Sequence, residues 1–98
     1  MKVSELTTEY LADYLRLDEP GDIETREIKA SREAAVAYAV SYTGLTEEEI
    51  DKYEDITAAV LILIADMFDN KNMYIDYKMR EVNRAVTTIL GMHQVNLL

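Results

Sequence analysis

His93 is the one histidine of the chain, and cysteine is absent. A zinc site of the usual thiolate and imidazole ligands cannot be assembled from that set, and a thiolate nucleophile is excluded. His93 stands close to the C-terminal end, beside the close of a helical segment, so its reading is a surface or interface residue rather than a catalytic one. Asp66 and Asp69 lie three apart, the spacing that puts two carboxylates on one helix face and lets them share a cation. One polar face on an otherwise apolar helix explains them better. Glu47, Glu48 and Glu49 lack the D-x-D-x-D-G pattern of a calcium loop and read as a solvated helix start. Gly21, Gly44 and Gly91 belong to no phosphate-cradling loop. The sequence therefore offers no catalytic residues, no metal site and no cofactor site, and the chain reads as a protein that is not an enzyme.

The chain has 98 residues, one domain's length, and a chain of that size buries roughly 60–65% of its unfolded surface. A hydrophobic share of 49% with one proline and three glycines argues for an ordered helical globule. The missing cysteines fit a reducing compartment. KVSELTTEY after Met1 has no apolar run, so no secretory signal is expected.

Charge is unevenly placed. The net charge is −9, with 15 acids against 6 bases in residues 1–55 and four of each in residues 56–98. From residue 71 onward the balance is slightly basic, Lys71, Lys78, Arg80 and Arg84 against Asp76 and Glu81. The plain reading is an acidic surface. The sharper one is an acidic front half of one copy meeting the basic back half of another. Binding along duplex DNA phosphates is disfavoured.

The central segment ITAAVLILIADMFDN has no polar side chain from Ala58 to Ala65, too short a run to span a bilayer, which takes about twenty apolar residues. Ala58, Ala59, Leu61 and Leu63 favour a helix over a buried strand. A helix apolar on every side must be surrounded by the chain's own helices or by other copies. Helix one is expected from Thr7 or Thr8 to about Leu17, with a stripe of Leu6, Tyr10, Leu11, Tyr14 and Leu15. DEPG at 18–21 breaks it. Helix two is expected over 22–43, its stripe passing through Ile28, Ala35, Tyr38, Ala39 and Tyr42. Ala34, Ala35, Ala37 and Ala39 make it thin enough for close approach. Gly44 suits a left-handed end. Thr46 with Glu49 reads as a capping box for a short helix, and the apolar helix follows after Glu54 or Asp55, whose charges suit an N-terminus. A last helix from about Arg80 carries Val82, Val86, Ile89 and Leu90 and ends near Gly91.

Residues 73–79 alternate apolar and polar and read as a short extended arm, strand or loop before the last helix, and residues 92–98 as a partly apolar tail. Tyr10, Tyr14, Tyr38 and Tyr42 are expected to face the core with their hydroxyls at the rim. Tyr74 and Tyr77 lie outside any evident core and point to a contact surface. The expected subunit or partner interface comprises Tyr74, Ile75, Tyr77, Lys78, Met79, Arg80, Arg84, Val95, Leu97 and Leu98. The whole is a small all-α bundle of four to five helices, one domain over 1–98.

Four segments, in order, resemble one family. YLRLDEPGD at 14–22 is similar to the YLRID-containing opening of the head–tail connector proteins of tailed phages, head-completion adaptors often labelled DNA packaging proteins. SREAAVAYAVSYTG at 31–44 resembles their long second helix ending in Tyr-Thr-Gly. ITAAVLILIADMFDNK at 56–71 is similar to their apolar helix, although Phe68, Asn70 and Lys71 stand where a Tyr-x-Asn-Arg-like turn is usual. VNRAVTTIL at 82–90 resembles their closing helix. The resemblance covers most of the chain. It implies a helical protein that forms a ring beneath the portal, extends the DNA channel and serves as the tail-attachment platform. The implied partners are other copies of itself, the phage portal protein and a tail-completion or head-closure protein, with no sequence-specific nucleic acid binding and no membrane. The implied location is the virion of a phage or prophage, and the bacterial host cytoplasm during assembly. A ring is a heterologous assembly in which one face meets a different face of the next copy, which the acidic front and basic back would serve. An acidic channel wall would also keep DNA from sticking. Two other readings stand beside this one, a DNA-packaging factor of small-terminase type and a small cellular helical interaction module.

Overall fold

The computed structural model describes residues 1–70 and 83–95. Every regular element among them is helical: a 3-10 turn at Val3–Glu5, then α1 (Thr8–Tyr14), α2 (Asp22–Thr43), α3 (Glu47–Ile50), α4 (Glu54–Asp69) and α5 (Arg84–Met92). The protein is an all-α bundle. The expected arm over 73–79 lies outside the described residues.

Each boundary has a local cause. The Thr7 hydroxyl accepts the Tyr10 N–H and starts α1. At α2 the Gly21 N–H donates to Glu24 Oε1, and Gly44 at φ 77° closes the helix with its N–H on the Val40 carbonyl. The bounds of α2 are those the sequence predicts. Thr46 and Glu49 form the reciprocal box, the Glu49 N–H on Thr46 Oγ1 and the Thr46 N–H on Glu49 Oε1. The Asn83 side chain accepts the Ala85 N–H and caps α5, so the described helix opens at Arg84, while residues 80–82, where its start is expected, lie outside the described residues.

The end of α1 differs from expectation. The helix stops at Tyr14, three residues before Leu17. Leu17 donates its N–H to the Ala12 carbonyl and Arg16 donates to Asp13, the pair of bonds that defines a Schellman ending. Arg16 takes the left-handed position at φ 60°, where glycine is usual, which is why the sequence does not announce the stop.

α4 is the centre. It packs most extensively on α2 and also on α5 and the 3-10 turn. Ile56, Ala59, Val60, Leu63, Ile64 and Met67 are buried there with Leu6, Leu11, Ile28, Ala35, Ala39, Ile50, Val86 and Leu90. The chain's own helices thus supply most of the surround that an apolar helix demands. A strip remains less covered, with Ala58 exposed and Leu61, Ile62, Ala65 and Phe68 half-buried. No helix among the described residues is long and apolar enough to cross a membrane.

The tyrosines divide. Tyr38 and Tyr42 pack against the core, as expected, and stack on each other with ring centroids 5.8 Å apart at 25°. Tyr10 and Tyr14 do not face the core and are 38% and 43% exposed. α1 is seven residues long and lies chiefly on α2. Leu11 and Ala12, with half-buried Leu15, fill that narrow contact and leave the tyrosines on its flank.

Candidate interaction surface

Two clasps hold the chain ends onto the α2–α4 body, and between them they define the surfaces left open. At the C-terminal end, His93 Nε2 lies 2.9 Å from Asp55 Oδ1 and 2.7 Å from Oδ2, and its ring sits 4.4 Å from the Tyr53 ring. The Val95 N–H donates to the Thr43 carbonyl at 2.7 Å. Thr43 is itself fully buried: its hydroxyl donates to the Ala39 carbonyl and accepts the Leu45 N–H. His93 is therefore a fastening between the end of α5 and the start of α4, a refinement of the surface role read from sequence. Within the expected tail His93 and Val95 are anchored, while Met92 and Val95 keep exposed side chains, 66% and 40%.

At the N-terminal end the 3-10 turn is wedged against three elements. The Ser4 N–H donates to Asp51 Oδ1 just after α3, Arg32 of α2 donates to the Leu6 carbonyl at 3.0 Å, and the Thr57 hydroxyl of α4 donates to the Met1 carbonyl. The wedge leaves a groove of about 560 Å³ between itself, α2 and α3. Half-buried Val36 and exposed Ala37 offer it an apolar base over the buried Val3, Leu6 and Ile50, and Glu33, Glu47, Glu48 and Asp51 give it an acidic rim interrupted by Arg32. Glu33, Glu47 and Glu48 are exposed. The neighbouring Glu49 carboxyl is held below its ordinary 4.5, chiefly by the Thr46 N–H it accepts. Tyr38, on the half-buried side of α2, has its hydroxyl pushed above its ordinary 10.0 by burial and then by Tyr42.

Of the interface expected from sequence, Arg84 and Val95 are described, and both are exposed. Tyr74, Ile75, Tyr77, Lys78, Met79, Arg80, Leu97 and Leu98 lie outside the described residues. Asp66 and Asp69 sit near the end of α4, where Asn70 Nδ2 donates to Asp66 Oδ1 and to the Asp66 carbonyl. Among the described residues no three of His, Cys, Asp or Glu are grouped to hold a metal ion. The groove itself is not announced by sequence, since its walls come from residues 3–6, 32–37 and 47–51; the one available signal is the excess of acid in the front half. No protein-family model, curated protein or solved structure matches this chain.

Proposed function

We infer that the chain is a structural adaptor that closes into a ring on the portal of a tailed phage or prophage, extends the DNA channel and gives the tail its attachment platform. The observation that carries this reading is the division of the molecule into an acid-rimmed groove on its front half and a net basic stretch beyond residue 70. A ring needs two different complementary faces on each subunit, and opposite charge both steers and orients such contacts. The resemblance of four ordered segments to head–tail connectors supplies the setting, with the portal and a tail-completion or head-closure protein as partners and the virion as destination. Nothing in this role requires catalysis, a metal or a cofactor. Negative-stain images of the protein alone and mixed with its portal test it. Rings seated on the portal are expected, and bare portals at saturating protein overturn the reading.

The small-terminase reading draws on Lys78, Arg80 and Arg84, bases near one another in sequence. It requires salt-sensitive duplex binding. At net charge −9 no mobility shift is expected at micromolar protein in physiological salt, and a tight shift would put the packaging factor first.

A further inference from the structure

The groove beside the 3-10 turn has the make-up of a peptide seat. Its walls are fixed in advance by the Ser4–Asp51 and Arg32–Leu6 hydrogen bonds, so an incoming segment does not have to order them. Its floor is apolar and its rim carries four carboxylates against one guanidinium. Ala37 lines it and belongs to a row of exposed small residues on α2, Ala30, Ala34, Ala37 and Ser41, spaced four, three and four apart. Small side chains in such a row let another backbone come close to the helix. The occupant must therefore offer apolar anchors and positive charge in one short segment.

The chain contains one such segment. Residues 71–84, KNMYIDYKMREVNR, place Met73, Tyr74, Ile75, Tyr77 and Met79 among Lys71, Lys78, Arg80 and Arg84, with Asp76 and Glu81 opposing them, a net charge of 4 − 2 = +2. Apolar anchors beside bases match an apolar floor inside an acidic rim. The flanks of the segment are held by α4 and α5, which pack on each other and on the buried side of α2. The groove reaches the exposed side of α2, through Glu33 and Ala37. We propose that the groove between the 3-10 turn, α2 and α3 is the seat for residues 71–84 of a second copy of the chain. The proposal deepens the adaptor reading by naming the two faces that meet, and it rests on that reading for the setting in which copies are brought together.

The test is a titration of a fluorescein-labelled synthetic peptide of residues 71–84 with the full chain, read by fluorescence anisotropy. Saturable binding is expected at micromolar protein. It should weaken about ten-fold or more in the double variant Glu33→Lys, Glu48→Lys, and again in Ala37→Trp, which fills the groove without changing charge. Both variants alter exposed side chains, and unchanged circular dichroism verifies that each is folded. Binding should also fall at about 1 M salt, where the screening length is about 3 Å. Absence of saturable binding overturns the proposal, including the case in which the chain's own 71–84 segment already fills the seat. Binding that both folded groove variants retain also overturns it. Rings on the portal without peptide binding would reject this seat and keep the adaptor, whereas peptide binding without rings would keep the seat and reject the adaptor.

Discussion

The two sides of α2 use the same residue for opposite ends. On one side Ala35 and Ala39 are fully buried, with Ile28 one helical stretch away, and they let the apolar surface of α4 come close. On the other side Ala30, Ala34 and Ala37 are exposed beside Glu33 and the acid-rimmed groove. Alanine favours the helix equally in both places. What separates them is the neighbour: a helix of the same chain in one case, and a proposed segment of another copy in the other. A thin helix face is thus a fold determinant where it is covered and a candidate contact where it is open.

If that division holds, substitutions on the covered side should lower stability, and substitutions on the open side should alter association instead. The largest effect belongs to α4. Leu63 is fully buried, and Leu63→Ala should lower unfolding free energy by about 3 kcal/mol through lost burial and the cavity left behind, measured by chemical denaturation. Next comes a matched pair on α2. Ala39→Leu forces a larger side chain into a closed contact and should cost about 2 kcal/mol. Ala37→Leu should stay within about 0.5 kcal/mol of the parent while changing self-association in sedimentation. Equal stability losses for the two alanine variants would erase the distinction between the faces.

The sequence made the frame of this bundle legible where the signal is local. The bounds of α2, the left-handed Gly44, the Thr46–Glu49 box and the buried Val86 and Leu90 all follow from spacing and cap chemistry within a few residues. It was silent where the cause is distant. Asp55 and His93 are 38 positions apart, and nothing in either neighbourhood announces the pairing. The groove draws its walls from three separate stretches, so its acids appear in sequence only as a diffuse excess. Tyr10 and Tyr14 fit the periodicity of a core stripe, but a seven-residue helix lying chiefly on α2 buries less than its pattern allows. The stop of α1 was hidden because Arg16 holds a position that glycine usually marks.

That last residue gives a further small effect, away from both faces of α2. Arg16 sits at φ 60°, a conformation that costs a non-glycine residue about 1–2 kcal/mol. Glycine there relieves this strain but gives the unfolded chain more freedom, an offset of about 0.4–1 kcal/mol. Arg16→Gly should therefore raise stability by about 0.5–1 kcal/mol, seen as a higher midpoint in thermal or chemical unfolding. A lower midpoint would mean that the arginine side chain supports the turn between α1 and α2.

Contact between unlike faces has its own signature in a mixing experiment. One variant, Glu33→Lys with Glu48→Lys, carries a reversed groove and a native 71–84 segment. The other, Lys78→Glu with Arg80→Glu, carries a native groove and a reversed segment. Sedimentation velocity of each alone should show association far weaker than that of the parent chain. An equimolar mixture should recover association, because the native groove of one variant meets the native segment of the other and the two reversed faces again carry opposite charge. Self-association of either variant at the parent's strength, or a mixture that sediments as two separate monomers, would contradict the assignment of these two faces.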